Sequence, residues 1–257
     1  MKVIDSHCHL VDEKVLSTVD EVIMRAKLAE VEKFVTMAGG RTDWPKLINL
    51  ADKYPEVFIA FGWHPEDITN VEDLNDLEEL ILKNKKCVAI GEVGLDFYYD
   101  KEKITKKVQM EMMRKQVELA TKLNKKMVIH VRNAEKEMEE LLAEYTGKFK
   151  AQFHCFGESP RFLEKILDEG HMVSFGGNIT FKSADNLREM VKMVPLGQLM
   201  LETDTPYLSP EPLRGTQNEP ANIIYTAQII AKELKIEVSE LTEVTYKNTI
   251  CFFGLEN

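Results

Sequence analysis

The segment K-V-I-D-S-H-C-H-L, Lys2 to Leu10, is a short apolar run that ends in chemistry-bearing side chains. Side chains alternate across a strand, so Asp5, His7 and His9 are expected to face one side and Cys8 the other. Two imidazoles on one side can chelate a single metal ion, and imidazole suits Zn, Mn, Fe or Ni. An H-x-H also occurs among ordinary core and surface histidines, so the segment gains meaning only if its form repeats.

It repeats along the whole chain. After Lys2 to Ser6 come apolar runs at Lys33 to Ala38, Val57 to Phe61, Cys87 to Ile90, Met127 to Ile129, Lys150 to Phe153, His171 to Ser174, and Gln198 to Leu201. Stretches with helical spacing fill the gaps, among them Asp73 to Asn84, Thr105 to Asn124, Pro160 to Glu169 and Ser183 to Met193. Short β-branched runs alternating with longer helical ones are the signature of βα units. In the longest helix Val108, Met112, Gln116, Leu119 and Leu123 form one inward face, leaving Lys106, Lys107 and Lys115 for solvent. Ser159 before Pro160 suits an N-cap, and Gly170 suits a stop before the seventh strand.

Eight βα units can close into a barrel or lie open as a doubly wound sheet, and the polar residues decide between them. His64 follows the third run, Glu92 closes the fourth, His130 follows the fifth, His154 the sixth and Asp204 the eighth. Five of the six histidines therefore fall at strand C-terminal ends; His171, at the start of a strand, is given no role. In a barrel these ends share one face, whereas an open sheet concentrates function at one switch point after a Gly-rich turn that is missing here. The expected fold is α/β, a single (β/α)8 TIM barrel over residues 1–257, with a metal centre at the C-terminal face of the strands.

Composition narrows the function classes. The 257 residues carry 33 basic and 43 acidic side chains, a net charge of −10, which argues against coating nucleic acid through a broad basic surface. It leaves open a local grip on a phosphodiester through metal ions. Cys8, Cys87, Cys155 and Cys251 lie far apart with no C-x-x-C pair, which suits a reducing compartment. There is no cleavable leader pattern and no run approaching the ~18 apolar residues of a membrane helix. The expectation is a cytoplasmic protein with no membrane association and no obligate protein partner. Four imidazoles and two carboxylates exceed the needs of one cation, so two are expected, with Glu92 bridging. Two cations sharing a bridge lower the pKa of bound water until it is a nucleophile near neutral pH, and Asp204 is placed as both ligand and proton acceptor.

These residues resemble the TatD family of metal-dependent deoxyribonucleases, among the amidohydrolase-like barrels. The resemblance runs through D-S-H-C-H-L (Asp5 to Leu10), F-G-W-H-P (Phe61 to Pro65), G-E-V-G-L-D (Gly91 to Asp96), H-V-R (His130 to Arg132) and H-C-F (His154 to Phe156). It continues with S-F-G-G (Ser174 to Gly177), E-T-D-T-P-Y-L (Glu202 to Leu208) and R-G-T-Q-N-E-P (Arg214 to Pro220). The resemblance implies that His7, His9, Glu92 and Asp204 hold one divalent ion and Glu92, His130 and His154 a second, the ions being Mg, Mn or Zn. It places His64 beside the scissile phosphate and implies 3′ to 5′ exonucleolytic cleavage of DNA, single-stranded or at strand ends. Two departures fall in loops: Glu66 stands where the family often has a second histidine after His-Pro, and Gly157 and Glu158 stand where it often has Ser-Gly.

The remaining candidates are weighed by position. Arg132, two residues past His130, suits a phosphate or carboxylate contact, with a structural ion pair as the alternative. Arg214 and Lys182 are weaker phosphate candidates. Asp5, Asp96 and Glu202 are expected to orient ligands rather than bind metal. Gln109 and Gln116 match the family pattern, and their simplest role is helix-to-loop hydrogen bonding. Trp63, Phe97, Tyr98 and Tyr99 flank the expected mouth and could stack on a base. The run Lys101 to Lys107 reads as a solvated helix start. Two other functions compete with the nuclease: an amidohydrolase acting on a small amide, ester or cyclic substrate, and a metal-containing binding protein without turnover. The intact ligand set with His64 disfavours the last.

Overall fold

The computed structural model describes residues 2–37, 40–98 and 104–255. Among these, eight parallel strands pair in sequence order: β1 (Val3–Cys8), β2 (Val31–Met37), β3 (Val57–Phe61), β4 (Cys87–Asp96), β5 (Lys126–Arg132), β6 (Ala151–Phe153), β7 (Met172–Phe175) and β8 (Leu199–Leu201). The helices between and after them are α1 (Glu13–Leu16), α2 (Val19–Leu28), α3 (Trp44–Lys53), α4 (Asn75–Lys83), α5 (Ile104–Leu123), α6 (Glu135–Glu144), α7 (Pro160–Asp168), α8 (Asp185–Val191), α9 (Ile223–Leu234) and α10 (Val238–Phe253). Just past β8 the ring meets β1 again: the Asp204 N–H donates to the His7 carbonyl at 3.0 Å and the His9 N–H to the Thr205 carbonyl at 2.7 Å. Asp5 reinforces this closure by accepting from the Thr203 N–H at 3.0 Å and the Thr203 hydroxyl at 2.5 Å. The fold is the expected (β/α)8 barrel.

Two buried apolar layers hold it. One lies between strands and helices and includes Phe34, Phe61, Leu77, Met113, Phe153, Phe162 and Ile230. The other fills the bore with Ile4, Val35, Phe58, Ala60, Ala89, Val128, Met172 and Met200, and Phe253 and Leu255 at the chain's end pack onto it. Phe252 beside Lys126, the first residue of β5, shows that this plug closes the N-terminal end of the barrel. Closing one end with carbon leaves the other for chemistry.

Several boundaries differ from the sequence reading. β4 extends to Asp96 and β5 to Arg132, so Glu92 and His130 lie within strands rather than past their ends. Polar side chains hid these extensions, because they face the mouth instead of an apolar layer. The two strands pair Gly94 with His130, and a Cβ on Gly94 would stand 1.9 Å from the His130 carbonyl oxygen, at a φ of +148° that other residues rarely adopt. Strict alternation in β1 also fails. Ser6 meets Gln152 inside the bore while its neighbour His7 reaches Glu92 at 3.3 Å, and the β1–β2 register shifts between Asp5 and Cys8. The Ser159 hydroxyl caps α7 by accepting from the Phe162 N–H at 3.2 Å, and Gly170 has a φ of +72°. Ala38, Tyr99 and Lys101 to Lys103 lie outside the described residues.

Candidate metal centre

The mouth is a cavity of about 750 Å³ lined by His9, His64, Glu92, His130, His154 and Asp204 together with residues of the surrounding loops. With His7, the side chains arrive from six places on the ring. His7 and His9 end β1, His64 follows β3, Glu92 rises from β4, His130 from β5, His154 follows β6 and Asp204 follows β8. Cys155 and Asp204 hold φ values of 43° and 57°, the left-handed region that non-glycine residues enter at a cost and that clusters at functional sites.

Glu92 organises the donors into two groups. Its Oε2 lies 3.3 Å from both His7 Nε2 and His9 Nε2; these nitrogens are 3.1 Å apart and stand 3.5 and 3.4 Å from Asp204 Oδ1. Its Oε1 lies 2.7 Å from His154 Nε2, 3.1 Å from His130 Nδ1 and 3.3 Å from His64 Nε2, with His130 Nδ1 and His154 Nε2 3.2 Å apart. Four ligands about 2.0–2.1 Å from a tetrahedral cation stand roughly 3.3–3.4 Å from one another. The first group matches that spacing, so the residues present fit a divalent cation. Lone pairs turned on one another at such distances otherwise need protons between them.

The same proximity perturbs the titration of these groups. Burial raises the Glu92 carboxyl, but His154, His64, His7 and the His130 hydrogen bond together drive it well below the usual range. Burial lowers His9 and His130, yet Asp204 and Glu92 hold His9 at about 9, and Asp96 and Glu92 hold His130 at about 10. His7, fully buried and stacked 3.7 Å from the His154 ring, is pushed by burial and by His154 down to about 3. Asp204 stays ionised below the usual range, because its bond with His9 and the nearby histidines outweigh burial.

The surrounding residues fix these groups. Asp96 Oδ2 accepts from His130 Nε2 at 2.9 Å, which leaves the Nδ1 lone pair for the centre. Glu202, fully buried, accepts from the Cys155 N–H at 2.6 Å and the Ser174 hydroxyl at 2.6 Å, anchoring the turn after His154; burial raises its carboxyl well above the usual range. Asp5 contacts the His7 main chain at 3.3 Å rather than its ring, and burial lifts it to about 7. Gln109 bonds both main-chain groups of Asp96 at 2.9 Å, and Gln116 bonds those of Trp63 at 2.8 and 3.3 Å, so α5 clamps the end of β4 at Asp96 and the loop that carries His64. Arg132 lines the cavity, lies over the Tyr98 ring at 3.8 Å and has Asp96 at 3.8 Å. Arg214 packs over Phe181 instead. Trp63 meets Trp44 edge-on, and Phe97 lies under Lys106.

Tyr207, Asn178, Asp12 and Asp43 also line the mouth and were not singled out by sequence. Tyr207 sits edge-on to His9 at 6.1 Å and donates its hydroxyl to Asp12 at 2.7 Å. Its place three residues past Asp204 in E-T-D-T-P-Y-L was the available signal. Cys8, Cys87, Cys155 and Cys251 are all free, and no described helix is long and apolar enough to cross a membrane.

Comparison with known proteins agrees with this geometry. The family described as TatD related DNase matches residues 4–254. The chain is 35% identical over 254 residues to the uncharacterized metal-dependent hydrolase YabD of Bacillus subtilis, covering 98% of each. It is 34% identical to the uncharacterized metal-dependent hydrolase YcfH of Escherichia coli K12, covering all of this chain and 97% of that one. The crystal structure of YJJV, a TatD homolog from Escherichia coli K12, superimposes with a TM-score of 0.91 at 25% identity over 98% of each chain.

Proposed function

Because the chain belongs to the TatD related DNase family of amidohydrolase-like metal-dependent hydrolases, we propose that it hydrolyses phosphodiester bonds of DNA, working from a 3′ end. Two divalent cations, Mg, Mn or Zn, would be held at the mouth. The carrying observation is the division of Glu92, whose two oxygens face separate sets of donors. His7, His9, Asp204 and Glu92 Oε2 make one site; His130, His154 and Glu92 Oε1 make the other. When bound there, the cations supply Lewis acidity and lower the pKa of coordinated water.

The chain's own side chains do the rest. Asp204, ionised at the floor of the cavity, accepts the proton of the attacking water. Asp96 orients His130, Glu202 holds the turn that presents His154, and Asp5 ties the main chain of β1 to the segment after β8. Arg132 takes the flanking phosphate with its guanidinium. The test is release of label from 3′-labelled single-stranded DNA with and without chelator. Metal-dependent release supports the reading. No release, with turnover of a small ester or amide, transfers the site to carbonyl substrates.

A further inference from the structure

Tyr207 is 41% exposed, and among the described residues it is the one phenylalanine, tyrosine or tryptophan that lines the mouth. The aromatics that the sequence offered for stacking are engaged elsewhere: Trp63 packs against Trp44, Phe97 lies under Lys106, and Tyr98 carries the Arg132 guanidinium on its face. An apolar face left bare beside a polar cavity contributes nothing to the fold, and it becomes buried only when a ligand covers it.

The ring is fixed from several directions. The Tyr207 N–H donates to the Asp204 carbonyl at 2.8 Å, its carbonyl accepts from Asn218 Nδ2 at 2.8 Å, and its hydroxyl donates to Asp12 Oδ2 at 2.7 Å. Lys14 Nζ covers one face, 4.7 Å from the centroid, which leaves the other for the cavity. A ring tied at both ends loses little freedom when a planar group settles on it.

Charge selects that group. Asp12, Asp204 and Glu66 all act on the Tyr207 hydroxyl and outnumber the Lys14 ammonium, so this side of the mouth repels a phosphate. An uncharged nucleobase has a π face to set on the ring. Tyr207 flanks the first donor group, with its centroid 6.1 Å from that of His9, while Arg132 stands two residues past His130 of the second. The cavity between them, about 750 Å³, has the size that encloses one small ligand.

Resting on the phosphodiesterase reading, we propose that Tyr207 is the platform on which the base of the 3′-terminal nucleotide stacks, with the scissile phosphate at the metal centre and the next phosphate at Arg132. A base reaches the ring only after leaving its pairing partner and its neighbour in the stack. The site therefore takes single strands and frayed ends, and it tolerates all four bases because each has a π face. Tyr207 holds no metal and moves no proton; it acts on substrate affinity.

Calorimetry on Zn-loaded protein with two probes tests the assignment. Deoxyadenosine 5′-monophosphate carries base and phosphate, and methyl phosphate the phosphate alone. Tyr207→Ala should weaken the nucleotide by about fivefold to a hundredfold, the scale of one base on one aromatic ring, and methyl phosphate by less than about twofold. Tyr207→Phe, which keeps the face and loses the bond to Asp12, should stay within about threefold of wild type on both probes. With the p-nitrophenyl ester of thymidine 5′-monophosphate, whose nitrophenolate stands for the leaving strand, Tyr207→Ala should raise KM by a similar factor and change kcat by less than about threefold. Equal weakening of both probes, or a nucleotide bound by Tyr207→Ala as tightly as by wild type, would overturn the platform. Tyr207→Phe as damaged as Tyr207→Ala would assign the ring to holding Asp12 instead, and loss of an ion from either variant would make it a support of the metal centre. If the wild type cleaves no phosphodiester, the functional reading fails, while the two calorimetric probes still decide whether a base stacks on Tyr207.

Discussion

The two ends of the barrel hold buried histidines in opposite circumstances. At the base, His171 is 2% exposed, accepts the Ala151 N–H on Nδ1 at 3.1 Å and lies between the rings of Phe149 and Phe153. Burial pushes it down to about 4, so it is neutral and satisfied. At the mouth, histidine nitrogens face one another and a shared carboxylate at 2.7–3.3 Å. Burial of a histidine is therefore no sign of function. What separates the two ends is whether the neighbours of the ring supply complementary partners or competing lone pairs.

The strongest way to break the contrast is to remove the shared carboxylate. Glu92→Gln should leave a folded barrel with kcat lowered by more than about a thousandfold, since several kcal/mol of charge stabilisation disappears. Circular dichroism and a nuclease assay on the same sample check both parts. Near-normal turnover would remove Glu92 from the chemistry. Asp204→Asn should cost at least about a hundredfold in kcat with the fold intact, from loss of a base and a weaker ligand. A modest effect would move proton transfer elsewhere, with Glu202 first in line.

Much of this contrast was readable in advance, and the reasons for the exceptions are physical. The eight apolar runs were visible because their side chains pack on both faces of the sheet, and the polar residues after them pointed to one end of a ring. The extensions of β4 and β5 were hidden where they cease to be apolar, at Glu92 and His130. His7 and His9 share one site as alternation expects, but Asp5 does not join them, because the β1–β2 register shifts between Asp5 and Cys8 in a way no single residue announces. The contact of the Glu66 N–H with His64 Nδ1 at 3.2 Å was not legible, because the main chain makes it whatever side chain position 66 carries. Gln116 was legible as a helix-to-loop contact, whereas Gln109 bonds the last residue of β4, whose extension to Asp96 was hidden.

Smaller perturbations sharpen the comparison. Arg132→Ala should impair DNA cleavage by about thirtyfold to a thousandfold, as expected for a charge-assisted phosphate contact, while sparing most turnover of a small neutral ester. Parallel kinetics on the two substrates check this, and equal losses would count against phosphate recognition. The smallest effect belongs to the base. The folded pKa of His171, about 4, lies below its ordinary value near 6.5. Its contribution to stability is therefore full above about pH 6.5 and lost as pH falls toward 4, because the unfolded chain takes up the proton first. Denaturant melts of His171→Phe should lack this part of the acid destabilisation seen in wild type, by up to roughly 3 kcal/mol between those limits. Its turnover should be unchanged. An identical acid profile in wild type and variant would mean His171 carries no such linkage.

The central claim is that one carboxylate joins two cation sites, and the most direct test is a titration of metal-free protein with Zn or Mn, read by native mass spectrometry and calorimetry. The wild type should saturate near two ions per chain, and Glu92→Gln should bind both more weakly. Saturation at a single ion, or two ions held by Glu92→Gln with unchanged affinity, would contradict it.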